Sequence, residues 1–231
     1  MNFENRLLAG RFIKRYKRFF VDVKLKGKTV VAHCPNTGSM MGLLKKKNIV
    51  WLTKSNNLKR KLKYTLQIIE DKNSKIGINT HLANKIVFEA LKNKSIKDLK
   101  NINKVRLEVK FGENTRFDFL VSSKKQKSFI EVKSVTLSRK KGIAEFPDAE
   151  TSRGQKHISE LLNANRKGYK IYLLFLVQRN DCKNFKIAED IDPKYSDLLK
   201  KAVKKNLKIL CYDCKFSLKG IKLNKKIEFK I

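Results

Sequence analysis

The chain has 231 residues, and its 55 Lys and Arg residues against 21 Asp and Glu residues give a formal net charge of +34. Apolar residues make up 41% of the chain, which is enough for packed cores and excludes general disorder. The longest apolar run, Ile171 to Val177, is too short to span a membrane, and the charged N-terminus is no secretory signal. We therefore expect a cytoplasmic protein with no membrane contact and a polyanionic partner, DNA or alternatively RNA.

Residues 1–80 have the denser positive charge, with 19 basic and 4 acidic residues. Their pattern of alternating residues and turns predicts five short strands without a strong helix. Such a pattern is typical of a small β-barrel such as an OB-fold. The predicted strands are Phe19–Leu25, Thr29–His33, Ile49–Thr53, Tyr64–Ile69 and Ile76–Asn79.

Residues 81–231 follow a different pattern, in the order α-β-β-β-α-β-α-β, which predicts a mixed α/β domain. Thr80 is the expected cap of the first helix, and Asp192 with Pro193 is the expected start of the last one. The unbroken apolar run in Lys170–Val177 favours a strand buried on both faces. The other predicted strands are Val105–Phe111, Arg116–Val121, Ser128–Lys133 and Leu207–Tyr212, and the middle helix is expected from Thr151 or Ser152 to just before Gly168.

Acidic residues are scarce in this chain, yet eight of the 21 fall within residues 108–160. Strand alternation places Glu131 and Lys133 on one face, and it predicts that Phe117 and Phe119 point away from Asp118. If the two strands pair, Asp118 lies beside Glu131, and two such carboxylates repel each other unless a cation lies between them. Oxygen ligands of this kind suit Mg²⁺ or Mn²⁺, and Lys133 is then placed to stabilise charge on a phosphate.

This D…(D/E)xK pattern is typical of metal-dependent nucleases, although ExK alone occurs by chance in a lysine-rich chain. The simpler alternative is a solvent-exposed strand pair. Glu108 in the preceding strand and Glu89 in the first helix are candidates for a third metal ligand. For each of them the alternative is a solvated surface charge.

The predicted start of the middle helix is a second functional cluster. Arg153, Lys156 and His157 lie where free N–H groups and the helix dipole favour a phosphate. Gln155 is a candidate to orient Lys133 or an attacking water. The alternative is an ordinary polar helix start.

The barrel segment interleaves basic and aromatic residues, and such residues on a small barrel can stack bases while they neutralise phosphates. The alternative is that the aromatic residues face the core and the lysines face water. We expect the cations of this segment to contact nucleic acid and Phe19 and Phe20 to face the core. The basic residues in question are Arg15, Lys17, Arg18, Lys59, Arg60 and Lys61.

The four cysteines show no disulfide spacing. Cys211 and Cys214 form a single CxxC, but no second pair or nearby histidine completes a zinc site. We expect two structural thiols in a strand.

Nine collinear stretches of the chain resemble the sugar fermentation stimulation protein A family over essentially the full length. They are Arg15–Phe19, His33–Gly38, Lys59–Lys61, Asn79–Thr80, Glu108–Gly112, Arg116–Asp118, Glu131–Leu137, Phe146–Ala149 and Arg153–His157. The chain departs from the family pattern at residues 45–48 and at Glu150. The resemblance implies an N-terminal OB-fold domain, residues 1–80, and a PD-(D/E)xK restriction-endonuclease-like domain, residues 81–231.

The resemblance also implies DNA binding and a role in regulating sugar (maltose) metabolism genes, with Asp118, Glu131 and Lys133 as a nuclease-like triad. Two functions follow from these expectations. One is a DNA-binding protein with a metal-dependent phosphodiesterase site, and the other is a non-catalytic DNA-binding regulator.

Overall fold

The computed structural model describes residues 1–99, 101–113 and 115–231. Its first half is a six-stranded sheet in the order β3-β2-β1-β4-β5-β6. A parallel pairing of β3 with β5 closes five of these strands into a barrel, as predicted, and leaves β6 outside the ring. The strands are β1 (Leu8–Tyr16), β2 (Phe20–Leu25), β3 (Lys28–His33), β4 (Ile49–Lys54), β5 (Tyr64–Asp71) and β6 (Ser74–Gly77).

Strand β1 was not among the predicted strands, although it is central to the barrel. Its sequence carries charges on both faces, with Arg11 and Arg15 as well as Lys14, so the alternation is weak. Pairing with β2 on one side and β4 on the other fixes it as a strand. The barrel core lies inside the ring and includes Phe12 from β1.

The second half contains a six-stranded sheet in the order β15-β14-β12-β9-β8-β7. Strand β12 runs parallel to both of its neighbours, which explains its continuous apolar run. The predicted helices are present, and Asp192 caps the last one as expected. The elements are α1 (Leu82–Lys92), β7 (Lys104–Phe111), β8 (Thr115–Ser122), β9 (Lys127–Val135), α2 (Ser152–Arg166), β12 (Lys170–Val177), α3 (Pro193–Lys204), β14 (Lys208–Phe216) and β15 (Ile221–Lys226).

A smaller four-stranded sheet was not predicted, because its strands are only three or four residues long. Its order is β10-β11-β13-β16. The strands are β10 (Leu137–Lys140), β11 (Ile143–Phe146), β13 (Asn184–Ile187) and β16 (Glu228–Lys230). Arg139 and Glu145 form an ion pair within it, at 3.0 Å.

Helices cover the two faces of the larger sheet and produce two hydrophobic cores. One core surrounds α1 and also includes Met1, Leu7 and Ile68 from the first half of the chain. The other lies under α2 and α3 and includes Ile158 and Leu199. The α1 core therefore packs the barrel and the α/β half against each other.

Strands β7 and β8 are both irregular at one shared position, where Glu108 lies opposite Asp118. On the two sides of this position, alternate side chains point to opposite faces of the sheet instead of the same face. Phe119 packs with α1, whereas Phe117 packs in the core under α2. The prediction that Phe117 and Phe119 share a face is therefore wrong. The pairing of β8 with β9 extends only from Ser122 to Phe119, and Glu108 has a φ of 50°, so regular alternation is interrupted there.

Loops also connect the two halves. The Ser39 hydroxyl donates to the carbonyl of Asp148 at 3.0 Å, and a Cβ at Gly38 would lie 2.2 Å from a carboxylate oxygen of Asp148.

The Thr80 hydroxyl donates to the carbonyl of Pro35 at 3.0 Å. This contact corrects the expectation that Thr80 caps α1: the residue at the cap position is His81, without a side-chain cap.

Candidate active site

A cleft of about 440 Å³ opens where β8 separates from β9. Three acidic and three basic side chains line it, together with residues at the start of α1. The charged residues are Glu108, Arg116, Asp118, Glu131, Lys133 and Arg153. The structure thus brings most of the residues predicted for catalysis to one place.

Asp118 lies at the point where the two strands part. One carboxylate oxygen accepts the backbone N–H of Val132 at 2.7 Å, and the other accepts the amide of Asn84 at 2.7 Å. The Asp118 carboxylate thus accepts a hydrogen bond from a backbone N–H of β9 that lies just beyond the end of the β8–β9 ladder. Burial, followed by the charge of Glu131, raises the pKa of Asp118 to about 7.

Glu131 is buried and faces α2. Its Oε1 accepts a hydrogen bond from the Lys133 ammonium at 2.8 Å and also contacts Nδ1 of His157. Lys133 lies 3.2 Å from the same His157 nitrogen. Burial raises the pKa of Glu131, but the charge of Lys133 and the contact with His157 outweigh burial and keep the pKa below its usual value.

The second oxygen of Glu131, Oε2, is buried without a hydrogen-bond partner. An unpaired buried carboxylate oxygen beside a second carboxylate is the arrangement that a hard divalent cation stabilises. The donors present fit Mg²⁺ or Mn²⁺, which bind through one or two carboxylates and retain waters. Among the described residues no group of three Asp, Glu, His or Cys side chains is close enough to form a complete metal site.

Glu108 is placed to approach this pair from the neighbouring strand. Leu107 pairs with Phe119 and Val109 with Phe117, so Glu108 lies opposite Asp118 in register. Its side chain is exposed and lines the cleft. A left-handed φ in the middle of a strand is costly for a non-glycine residue and is found most often at functional sites.

Glu89, the other candidate for a third ligand, does not line the cleft. Its carboxylate binds the N-terminal ammonium group of Met1. The first turn of α1 contributes Asn84 to the cleft instead, a residue that the sequence did not indicate. Its one signal was a polar side chain directly after Ala83 of the apolar face.

The start of α2 is held by an aspartate of α3. Asp192 accepts hydrogen bonds from Thr151 N at 2.9 Å, from Tyr195 N at 2.8 Å and from the Gln155 amide at 3.0 Å. These hydrogen bonds overcome burial and lower the pKa of Asp192. The amide of Gln155, predicted to orient Lys133 or water, thus donates to Asp192, and Gln155 is not among the described lining residues of the cleft.

The other predicted residues of α2 lie around His157. Arg153 lines the cleft, and its Nε lies 3.4 Å from Nε2 of His157. His157, predicted to bind nucleic acid, is buried and contacts Glu131 and Lys133. Lys156 is exposed on the first turns of the helix.

The basic residues of the barrel fall into two groups. Arg15 donates to the backbone carbonyls of Asn36 at 2.7 Å and Gly38 at 3.0 Å, so it holds the loop that contacts Asp148. The remaining predicted cations are at the surface: Lys17, Arg18, Lys59 and Lys61 are exposed, and Arg60 is half-buried.

The two cysteines of the CxxC motif lie outside the cleft and outside the barrel. Cys211 and Cys214 are both buried in β14 as free thiols. Burial raises the pKa of both thiols, so they are poor nucleophiles.

Comparison with known proteins decides the family. A model described as the SfsA N-terminal OB domain matches residues 13–78, and one described as the sugar fermentation stimulation protein RE domain matches residues 81–220. This chain belongs to the sugar fermentation stimulation protein family. The OB-fold predicted for the first part of the chain is thereby confirmed.

Relatives in this family match almost the whole chain. The sugar fermentation stimulation protein homolog of Pelagibacter ubique is 53% identical over 99% of this chain and 98% of its own length. The homolog of Pseudoalteromonas atlantica is 49% identical over 98% of both chains. SfsA of Pyrococcus furiosus, solved in complex with Ca²⁺, superposes with a TM-score of 0.90 at 27% identity and covers 100% of this chain and 98% of its own.

No helix within residues 1–99, 101–113 and 115–231 is long and apolar enough to cross a membrane.

Proposed function

We propose that this protein binds DNA and cleaves phosphodiester bonds at the cleft between β8 and β9, using Mg²⁺ or Mn²⁺. The observation that carries this proposal is the buried Glu131 carboxylate, whose Oε2 has no partner and which lies in the same cleft as Asp118 and Lys133. Asp118 lies close enough to Glu131 for the charge of Glu131 to help raise the pKa of Asp118, a repulsion that a bound cation would relieve. The Ca²⁺ in the complex of the Pyrococcus furiosus protein supports a cation site in this family.

Asp118 and Glu131 would hold the metal, and Glu108, which lines the same cleft, is an additional donor. A bound Mg²⁺ or Mn²⁺ supplies Lewis acidity toward the phosphodiester and its attacking water. The protein's own residues supply the rest: Asn84 and the Val132 N–H orient Asp118, and Glu131 and His157 fix the Lys133 ammonium. From that position Lys133 stabilises the negative charge that develops on the phosphate.

The surrounding charge suits a polyanionic substrate. Arg116 and Arg153 line the same cleft. They lie beside a barrel that carries 19 of the chain's 55 basic residues and only 4 acidic ones. Such a field attracts DNA through its phosphates without reading its sequence.

The test is incubation of the purified protein with labelled single-stranded and duplex DNA, and with RNA, in Mg²⁺, Mn²⁺ or EDTA. We expect cleavage only with metal, and loss of cleavage in Glu131→Ala. Glu228→Gln, which changes an exposed acid on β16, is the matched control and should cleave normally. Cleavage that continues unchanged in Glu131→Ala would refute the proposal.

A second candidate function is a non-catalytic DNA-binding regulator of sugar (maltose) metabolism genes. The observation that favours it is the charge of residues 1–80, 19 basic residues against 4 acidic ones, which attracts DNA phosphates without any metal or cleavage. In that case the protein binds DNA at moderate salt, and no metal produces cleavage.

A further inference from the structure

A second cleft, of about 500 Å³, lies between the barrel and the start of α1. Lys54, Arg60 and Lys85 line it, and Glu4 is the one acidic residue among its described lining residues. His81 lines both this cleft and the carboxylate cleft. The two clefts are therefore neighbours that meet at His81.

An exposed aromatic pair lies on the barrel side of the second cleft. The ring of Phe19 stacks on that of His33, with centroids 6.4 Å apart and an interplanar angle of 17°. Phe19 is 43% exposed, which corrects the expectation that it faces the core. His33 itself lines the cleft. Burial is the main cause that lowers the pKa of His33, followed by the electrostatic effects of Arg60 and His81, so its imidazole stays neutral.

The hairpin that carries Phe19 has an unfavourable backbone. Lys17 and Arg18 connect β1 to Phe19, and both have positive φ, at 46° and 60°. Glycine or asparagine adopts this conformation at lower cost. These two exposed cations form the tight turn between β1 and β2 and lie directly before the exposed ring of Phe19.

Polar groups form the floor of the second cleft. The Gln67 amide donates to the Thr53 hydroxyl at 2.8 Å, and the Asn79 amide donates to Gln67 at 2.9 Å. Gln67 and Asn79 are both buried and line the cleft. Amide groups carry both donors and acceptors, as base edges do, whereas phosphate oxygens only accept.

We propose that the substrate is a single-stranded nucleic acid, which stacks an unpaired base on the Phe19–His33 pair and follows the second cleft past His81 to the carboxylates. This inference rests on the proposed function and specifies its substrate. Only an unpaired base presents a free face to an aromatic side chain and a free edge to Gln67 and Asn79. In a duplex those faces are stacked and those edges are paired, so a duplex would use only the exposed cations.

The experiment measures fluorescence anisotropy of labelled oligonucleotides of about 12 nucleotides, a length within the site size of an OB-fold. The wild-type protein is titrated in EDTA, which prevents cleavage, with single-stranded DNA, single-stranded RNA and duplex DNA. We expect tighter binding of a single strand than of the duplex, and the DNA and RNA arms identify which sugar is preferred. Equal or tighter binding of the duplex would overturn the inference.

Variants of Phe19 locate the site. Phe19→Ala should weaken single-strand binding by roughly 5- to 150-fold, the range that base stacking on an aromatic side chain covers, and leave duplex binding unchanged. Phe19→Trp should retain single-strand binding, because it keeps an aromatic face. Leu58→Ala is the matched control, since Leu58 is a 92% exposed apolar residue of the same barrel. Wild-type binding by Phe19→Ala refutes the site.

The outcomes separate this inference from the proposed function. If the protein cleaves with metal but shows no preference for single strands, the phosphodiesterase stands and the single-strand path is wrong. If single strands bind through Phe19 but nothing is cleaved, the binding path stands and the catalytic proposal is wrong. With both correct, Phe19→Ala raises KM for cleavage of a single strand and leaves kcat unchanged.

Discussion

The barrel surface and the carboxylate cleft use charged residues in different ways. On the barrel, Lys17, Arg18, Lys59 and Lys61 are exposed and lie on loops. In the cleft, Glu131 is buried and contacts both Lys133 and His157. Exposed cations act almost independently of each other through long-range attraction, whereas buried charges depend on each partner. Substitutions should therefore have large effects in the cleft and small, additive ones on the barrel.

The largest expected effect is that of Lys133→Met, which removes the ammonium and keeps the length of the side chain. We expect the metal-dependent cleavage rate to fall by about 10²- to 10³-fold, the usual cost of losing one group that stabilises transition-state charge. Ca²⁺ binding, followed by calorimetry, should persist, because Lys133 is no metal ligand. Loss of Ca²⁺ binding together with cleavage would mean that Lys133 acts only by holding the site together.

Asp192→Ala should have the next largest effect, on stability. The variant loses the cap of α3 and leaves Thr151 N and the Gln155 amide without their acceptor. We expect the free energy of unfolding to fall by about 2–4 kcal/mol in urea titrations at pH 7. Asp192→Asn keeps a hydrogen-bond acceptor, so its free energy of unfolding should fall by less than that of Asp192→Ala.

Asp192 also predicts a dependence on pH. Its pKa is lowered in the folded protein, so its contribution to stability is complete above the unfolded pKa of about 3.9 and is lost as the pH falls through the lower folded pKa. The stability difference between wild type and Asp192→Asn should therefore narrow below about pH 4. A difference that stays constant down to pH 2 would show that the carboxylate charge of Asp192 is unimportant.

Asn84→Ala tests how the cleft depends on α1. Without the amide of Asn84, Asp118 loses one of its two orienting hydrogen bonds. Loss of such a contact to a ligand typically weakens metal binding by about 10- to 100-fold. Lys85→Ala, at the adjacent exposed position, is the control and should bind Ca²⁺ normally.

The smallest expected effect lies on the barrel, where Arg18→Gly should change stability and binding in opposite directions. Glycine relieves the positive φ, so we expect the free energy of unfolding to rise by up to about 1 kcal/mol. The loss of one cation should also weaken the salt dependence of binding. The slope of the logarithm of the binding constant against the logarithm of the salt concentration should become shallower by about 0.7 for a single-stranded nucleic acid. A variant that is both less stable and weaker in binding would contradict this account of the hairpin.

Much of the fold could be predicted from the sequence because periodicity and end signals are local. The apolar run of β12 and the Asp192–Pro193 start of α3 each identified their element. Strand β1 could not be predicted, because its pairing with β2 and β4, rather than its own pattern, makes it a strand. The small sheet of β10, β11, β13 and β16 was missed for the same reason.

For the candidate site, the sequence identified residue types and spacing but not their partners. Gln155 was a candidate to orient Lys133 or a water, and the sequence did not reveal that its amide binds Asp192, 37 residues away. Glu89 was a candidate ligand, yet the N-terminus binds it. Both partners come from distant parts of the chain, so no local pattern reveals them.

The sequence by itself determined the family, the order of the main elements, the strong positive charge and the spacing of Asp118, Glu131 and Lys133, because these depend on composition and on local pattern. Only the tertiary structure decided that β8 leaves β9 at Asp118, that His157 joins Glu131 and that Phe19 is exposed beside His33. These features depend on contacts between residues far apart in the chain, whose packing no single segment encodes.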